Sequence, residues 1–410
     1  MYFLIAALVV VVACSAITIK TLVGYNNFCL SGKILIAVAV LTGWAAPFIV
    51  ETVRKNNLLD GTLFNVISFV GYYLFGLVFI LFILLILRDF IWYVVYGLGK
   101  AVGISGWWLN PKNISSLGYA NLAVVFLSAG ISFYAVHEAV KEPFVKQVSF
   151  SSPLLSSDFH IVQLSDLHIN RSASAEHLQR LVEMVNSLKP DAILLTGDIV
   201  DDRIKYLDSY MDILKGLRAK HGVYFSVGNH ETYNGLPSIL KKLYGMGIKV
   251  LLNRGEKIPE TNIFVAGIPD KQTAAASEYL SVNFNKAVKG SSEKDYRILL
   301  SHSPEMADYI NADSFNLVLA GHTHGGQIFP FHLLVKRANK YLAGAYQVNG
   351  VDVYVSRGSG YWGPPMRILA PSEITDIIIK AERKPEKIDE TETDDNILEM
   401  RNAQNFGFGL

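Results

Sequence analysis

The sequence predicts an α/β domain of alternating strands and helices, preceded by a group of membrane-spanning helices. Three observations carry this. The 37 basic and 36 acidic side chains are unevenly placed, with only ten of them in residues 1–137. That same segment holds four long uncharged apolar stretches. After residue 158, short apolar runs of strand length alternate with amphipathic runs of helical period, the pattern of sheet faces covered by helices.

A bilayer span takes about 20 mostly apolar residues in a helix. Met1–Ile19, Ile34–Val50, Leu63–Leu87 and Leu117–Val136 meet that requirement, so residues 1–137 are expected to cross the membrane about four times. A cleaved signal peptide is the alternative for the first stretch, and the lack of a basic leading region favours a retained span. Between the third and fourth, Phe90–Leu109 is aromatic and interrupted by Lys100 and four glycines. It is expected to be interfacial or re-entrant, with Trp107 and Trp108 at a headgroup boundary. With four spans the soluble domain shares a side with the N-terminus. Lys20, Lys33, Arg88, Lys100 and Lys112 lie towards one side, against Arg54, Lys55, Lys141 and Lys146 on the other. The positive-inside rule makes the first set cytoplasmic and the domain extracytoplasmic.

Residues 138–157 are expected to be a linker, punctuated by Pro143 and Pro153, and residues 158–382 the folded domain. The predicted strands are His160–Ser165, Ala192–Thr196, Val223–Val227, Asn262–Ile268, Tyr296–Ser301, Leu317–Ala320, Asp352–Ser356 and Ile374–Lys380. The predicted helices are Ala175–Leu188, Tyr206–Lys220, Pro237–Gly247 and Ser277–Val288. Residues 383–410 are polar and acidic, a composition that predicts a disordered tail. Both cysteines, Cys14 and Cys29, lie in the apolar part, which excludes a disulfide scaffold or a thiolate zinc site in the domain. A net charge of +1 and the lack of a basic block give no reason to expect nucleic acid as a partner.

The chemistry-bearing residues cluster where the apolar strands end. Asp166-Leu167-His168, Gly197-Asp198, Gly228-Asn229-His230-Glu231, Ser301-His302 and Gly321-His322-Thr323-His324 each follow a predicted strand, and they contain five of the ten histidines. In open α/β sheets ligands bind beyond the carboxyl ends of the strands, so five separate segments aim at one place. Taken singly, Gly197-Asp198 and Gly228-Asn229-His230 also read as turns, and Asp166 with His168 as a surface pair. Two histidines flanked by glycines in Gly321–Gly326 read less readily as a packed core pair, because glycine lets backbone approach a ligand.

In these blocks, written out as Ser165-Asp166-Leu167-His168, Gly197-Asp198-Ile199-Val200-Asp201, Gly228-Asn229-His230-Glu231, Ser301-His302 and Gly321-His322-Thr323-His324-Gly325-Gly326-Gln327, the chain resembles the calcineurin-like metallophosphoesterases over roughly residues 158–380. The spelling is similar to the bacterial membrane-linked branch. The resemblance implies two β-sheets flanked by helices, a four-layer α/β/β/α sandwich. It implies two divalent metals, with Asp198 bridging them, Asp166, His168 and His324 completing one site, and Asn229, His302 and His322 the other. Two cations about 3.5–4 Å apart clamp the attacking and leaving oxygens of an in-line displacement. The oxygen and nitrogen donors suit Mn, Fe or Zn, with Mn favoured. His230 matches the family histidine that assists the leaving oxygen, and Asp201 the residue that orients it. Where family members carry Asp-Arg-Gly, this chain reads Asp201-Asp202-Arg203, which shifts the arginine by one and puts its role as a phosphate clamp in doubt. Asn170, Trp362 and Arg367 are further candidates for substrate contact; a loop turn is the plainer reading of Asn170, and a Gly/Pro turn that of Tyr361–Pro365.

The expected function is hydrolysis of a phosphodiester or pyrophosphate by a metal-activated water, in a lipid-linked or envelope substrate. A UDP-2,3-diacylglucosamine-type pyrophosphate is one candidate, though a cytoplasmic one at odds with the expected topology. A bacterial cell membrane is the expected location. The alternatives are a phosphoprotein phosphatase and a transport protein with a regulatory phosphate-binding domain. Missing ligands or charges within the spans would mark the latter, and neither is seen.

Overall fold

The computed structural model describes residues 2–24, 28–59, 61–104, 106, 109–111, 113–276 and 280–382. Trp107, Trp108 and the tail 383–410 lie outside them. The apolar N-terminal stretches form α1 (Tyr2–Val23), α2 (Leu30–Lys55), α3 (Gly61–Ala101) and α4 (Ile114–Val140). Among the described residues α2, α3 and α4 are long and apolar enough to cross a membrane, and Leu8–Val23 of α1 is a shorter apolar helix. Trp44, Val78, Leu81 and Leu85 pack between them. Leu8, Leu35, Tyr119 and Phe133 point outward and are exposed, the kind of apolar surface that marks a membrane or protein contact.

Two expectations here are corrected. The stretch from Phe90 is neither re-entrant nor separate, because α3 runs on through it to Ala101. The Arg88 and Asp89 charges do not break the helix: Arg88 bonds Asp89 and the side chain of Asn121 on α4. The helix ends near Gly103, whose φ of +78° suits a residue without Cβ. Nor is 138–157 a linker. The α4 helix continues to Val140, and β1 (Phe144–Ser152) pairs in parallel along its full length with β12 (Glu373–Ala381).

The domain has two six-stranded sheets. In the first the order is β1, β12, β2 (Phe159–Leu164), β3 (Ala192–Thr196), β4 (Val223–Ser226) and β5 (Lys249–Val250). In the second it is β10 (Gly344–Val348), β11 (Val351–Val355), β9 (Leu317–Ala320), β8 (Tyr296–Leu300), β7 (Ile263–Gly267) and β6 (Arg254–Lys257). The β2–β5 strands are mutually parallel, as are β7, β8, β9 and β11. Their carboxyl ends therefore share a direction within each sheet.

Period-2 alternation explains the layers. Ile161, Leu194, Tyr224, Val265, Ile298 and Leu319 fill the space between the sheets. Their chain neighbours Val162, Ile193, Leu195 and Phe225 face the other way, onto α5 (Ala175–Ser187), α6 (Asp208–Leu214) and α8 (Leu236–Gly245) through Leu181, Met211 and Leu243. Phe264, Leu299 and Val318 cover the outer face of the second sheet with Met306 and Phe315. The short helices α7 (Asn229–Tyr233), α9 (Lys271–Ala276), α10 (Phe284–Ala287) and α11 (His332–Asn339) fill connections. This is the expected four-layer α/β/β/α sandwich. The helix predicted over Tyr206–Lys220 is shorter, Asp208–Leu214, and that over Ser277–Val288 contains only Phe284–Ala287 among the described residues.

Candidate metal centre

Each motif leaves its strand in a tight turn. Asp166, His168, Asp198, His322 and His324 all have φ between +48° and +71°. Left-handed backbone is unfavourable for residues with a Cβ, so five such residues at one spot mark a place where the fold holds strain for the sake of side-chain aim. Two glycines make the close approach possible. A Cβ on Gly228 would lie 2.2 Å from Asp198 Oδ1, and one on Gly321 would lie 1.9 Å from Ser165 Oγ.

Three donor groups converge: Asp166 with His168 and His324, His168 with Asp198 and His230, and Asp198 with His302 and His322. His302 Nδ1 donates to the Thr196 carbonyl at 2.8 Å. With Nδ1 committed there, Nε2 is the atom left to ligate a cation. That Nε2 faces Asp198 Oδ2 at 3.0 Å and His322 Nδ1 at 3.2 Å. On the other side, His168 Nε2 and His324 Nε2 meet at 3.0 Å, and His324 Nε2 lies 3.4 Å from Asp166 Oδ1. Asn229 Oδ1 is buried and accepts no hydrogen bond. Acceptor atoms turned on one another, with a buried orphan amide oxygen among them, fit divalent cations. Burial and the neighbouring His302 lower the pKa of His322; burial and His168 lower that of His324. Both rings are thereby kept in the neutral, ligating form. Burial opposes charge on Asp198, but His302, His230 and His168 hold its pKa well below the usual range.

His230 stands beside this cluster, its Nε2 3.9 Å from Asp198 Oδ2, and its Nδ1 is 2.7 Å from Asp201 Oδ1. Burial disfavours its charge, yet the Asp201 and Asp198 carboxylates outweigh burial and push its pKa up to about 9. Trp362 is half exposed and edge-on to His230 at 6.0 Å, where it walls the open side.

The other three candidates do not face the cluster. Arg367, expected at the substrate, is fully buried; its guanidinium donates to the carbonyls of Arg357, Gly360 and Ala370 and backs His324. Asn170 closes a local turn, donating to His168 O and accepting from Ser172 N. Arg203 is exposed, and its backbone N–H bonds Asp202, whose carboxylate also pairs with Arg171.

Two residues of this site carry no assigned role in the sequence reading. Glu231 accepts from the backbone N–H groups of Asp198, Ile199, Val200 and Gly228 at 2.7–3.1 Å, tying two ligand-bearing turns together. Its place three residues after Gly228 is the capping-box position, a signal that could have been used. Glu231→Ala should strand these donors at about 1–3 kcal/mol each before water relaxes them. The expected net loss is about 3–5 kcal/mol, read as a lower denaturation midpoint of the full chain, with Glu231→Gln intermediate.

Arg54 comes from the last turn of α2. It donates to Asp201 O at 3.0 Å and Asn234 Oδ1 at 2.9 Å while Glu51 holds its other edge. Asn234 in turn donates to His230 O and Asp201 Oδ1. The apolar helices thus touch the second layer of contacts around His230. We expect Arg54→Met to lower turnover about tenfold, the scale on which loss of support loosens a site, with bound-metal content unchanged by elemental analysis; Arg54→Lys should restore part of it.

Comparison with known proteins agrees with this geometry. Residues 159–326 match the family model described as calcineurin-like phosphoesterase. An uncharacterised metallophosphoesterase of Campylobacter jejuni is 34% identical over 268 residues, covering 64% of this chain and 70% of that one. One from Helicobacter pylori is 34% identical over 268 residues, covering 65% and 72%. A transmembrane protein with metallophosphoesterase domain from Danio rerio is 34% identical over 270 residues, covering 62% of each.

Proposed function

This chain belongs to the calcineurin-like metallophosphoesterases and is a metal-dependent phosphoester hydrolase; from that premise we propose that it is anchored in the membrane and cleaves a phosphodiester or pyrophosphate of a lipid or envelope substrate. The observation that carries the reading is the convergence of Asp166, His168, Asp198, His302, His322 and His324 around the unpartnered Asn229 Oδ1. Seven donors, Asn229 included, are enough for two cations sharing Asp198. The metals, with Mn favoured on donor chemistry, would supply Lewis-acid charge neutralisation and an activated water.

The protein's own groups divide the remaining work. Asp201 orients His230 and keeps it charged, so the imidazolium can give its Nε2 proton to the leaving oxygen. Trp362 and Tyr233, both about half exposed and both edge-on to His230, line the approach. The Lys/Arg distribution favours an extracytoplasmic domain, hence envelope glycerophospholipids or wall polymers over a nucleotide-linked lipid such as UDP-2,3-diacylglucosamine.

The test is turnover of a chromogenic phosphodiester against the matching monoester by the full chain in detergent, with Mn²⁺ and after chelation. The reading expects metal-dependent cleavage with the diester preferred. Monoester preference would move it to the phosphatase alternative.

A further inference from the structure

The side of the domain that carries the candidate site lies along α3. Contacts descend this helix in order. Asn65 meets Ser172, Tyr72 meets Gly363, Gly76 meets Pro364 and Met366, and the ring of Phe79 stands edge-on to Phe331 at 6.4 Å. From Asn65 to Phe79 is about 21 Å along a helix axis at 1.5 Å per residue. Phe79 lies well inside the uncharged stretch Leu63–Leu87, and Ile80 and Ala135 of the helices share one buried cluster with Ile328 and Met366 of the domain. The corner of the domain at residues 328–334 and 364–369 therefore sits at the height of apolar helix surface, below the charged level of Glu51, Arg54 and Lys141.

What this corner shows to its surroundings fits that height. Leu333 is 61% exposed, Leu334 62% and Leu369 81%, with Phe329 about half exposed. A soluble face seldom gathers so many large apolar side chains. After His332 the first turn of α11 carries Leu333, Leu334 and Val335 and its last turn carries Lys336 and Arg337, the order of a short interfacial helix whose basic end reaches anionic headgroups. The apolar patch is continuous with the contact to α3, so the bilayer around α3 is its natural cover.

We propose that this corner is inserted into the acyl layer of the leaflet nearest the domain, and that the site takes the phosphoester of a lipid still resident in that leaflet. The level of the site agrees. Trp362, beside His230, precedes Gly363, which lies against Tyr72. Tyr72 is seven residues, about 10 Å, nearer the charged end of α3 than Phe79. When Phe331 is among acyl chains, the metal cluster is near the headgroup phosphates. A lipid diester reaches it by lateral diffusion, without leaving the bilayer. This inference rests on the phosphoester-hydrolase reading for its substrate half only.

The test uses the full chain in vesicles of phosphatidylcholine and phosphatidylglycerol. In a Cys14→Ser, Cys29→Ser background, Leu334→Cys carries an environment-sensitive fluorophore; Lys220→Cys, exposed before β4 at the end of the sheet away from the site, is the control. Lipids with a nitroxide on the upper acyl chain should quench the label at 334 and leave that at 220 bright. Equal brightness at both positions would overturn the insertion. The substrate half is read with two nitrophenyl phosphodiesters, one carrying a long alkyl chain in the vesicles and one a methyl group in water. Leu334→Glu should slow the long-chain diester about tenfold, corresponding to ~1.4 kcal/mol, and leave the methyl diester unchanged. Equal effects on both would overturn it. Failure of the unmodified protein to cleave either diester, with the label at 334 still quenched, would instead remove the hydrolase reading and keep the insertion.

Discussion

Asp198→Asn should reduce phosphodiester turnover at least roughly a thousandfold, ~4 kcal/mol of barrier, and should also cost metal. Asp198 Oδ2 lies 3.0 Å from His302 Nε2 and 3.9 Å from His168 Nε2, between the two histidine groups. Its Oδ1 is occupied by the His230 N–H at 2.9 Å. Among the described residues no other carboxylate falls in more than one donor group with these histidines, so an amide here removes the anion that would offset repulsion between two cations. The amide is nearly isosteric, and Glu231 still bonds the backbone N–H of residue 198. Thermal stability of the metal-free protein should therefore change little. Steady-state rates combined with elemental analysis check this: loss of rate with loss of metal is expected, and full activity in the variant would remove Asp198 from the site.

His230→Ala should behave differently. Its Nε2 stands 3.9 Å from Asp198 Oδ2, at the edge of the donor groups, and its Nδ1 is committed to Asp201. Turnover should fall about 10²–10⁴-fold, the range for a positioned acid, with metal content retained. The loss should shrink for leaving groups of low pKa, because a nitrophenolate needs little protonation on departure while an alkoxide needs it fully. Rates across a leaving-group series read this directly. A uniform loss across the series would assign His230 to phosphate binding instead.

The sequence was most legible where local pattern and burial coincide. The β3 and β9 strands fall at the residues expected, since both faces of each are covered and the run is apolar throughout. The strand-end motifs are likewise local, and the fold brings their side chains within reach of one another. The β1 strand was missed because it is a half-exposed edge, Phe-Val-Lys-Gln-Val-Ser-Phe-Ser-Ser, whose partner β12 lies more than two hundred residues away. The β10 strand, also a half-exposed edge, was missed in the same way. The length of α3 was hidden by Lys100 and the four glycines of Phe90–Leu109, which read as interruptions although the helix runs on to Ala101. Arg367 was a candidate for substrate contact because it follows the Gly/Pro loop between the last two predicted strands, a place that could wall the site. Only the three-dimensional arrangement reveals that backbone carbonyls surround it. Arg54 left no trace at all, since nothing local links the end of an apolar helix to a carboxylate at position 201.

The two-metal centre is the claim on which the rest depends, and equilibrium metal analysis of the full chain tests it most directly. The chain is stripped with a chelator, reloaded with Mn²⁺, freed of excess and measured for metal per chain. The account predicts two ions per chain in the unmodified protein, and fewer in Asp198→Asn and in His302→Ala. One ion or none in the unmodified protein, or two retained in Asp198→Asn, would contradict it.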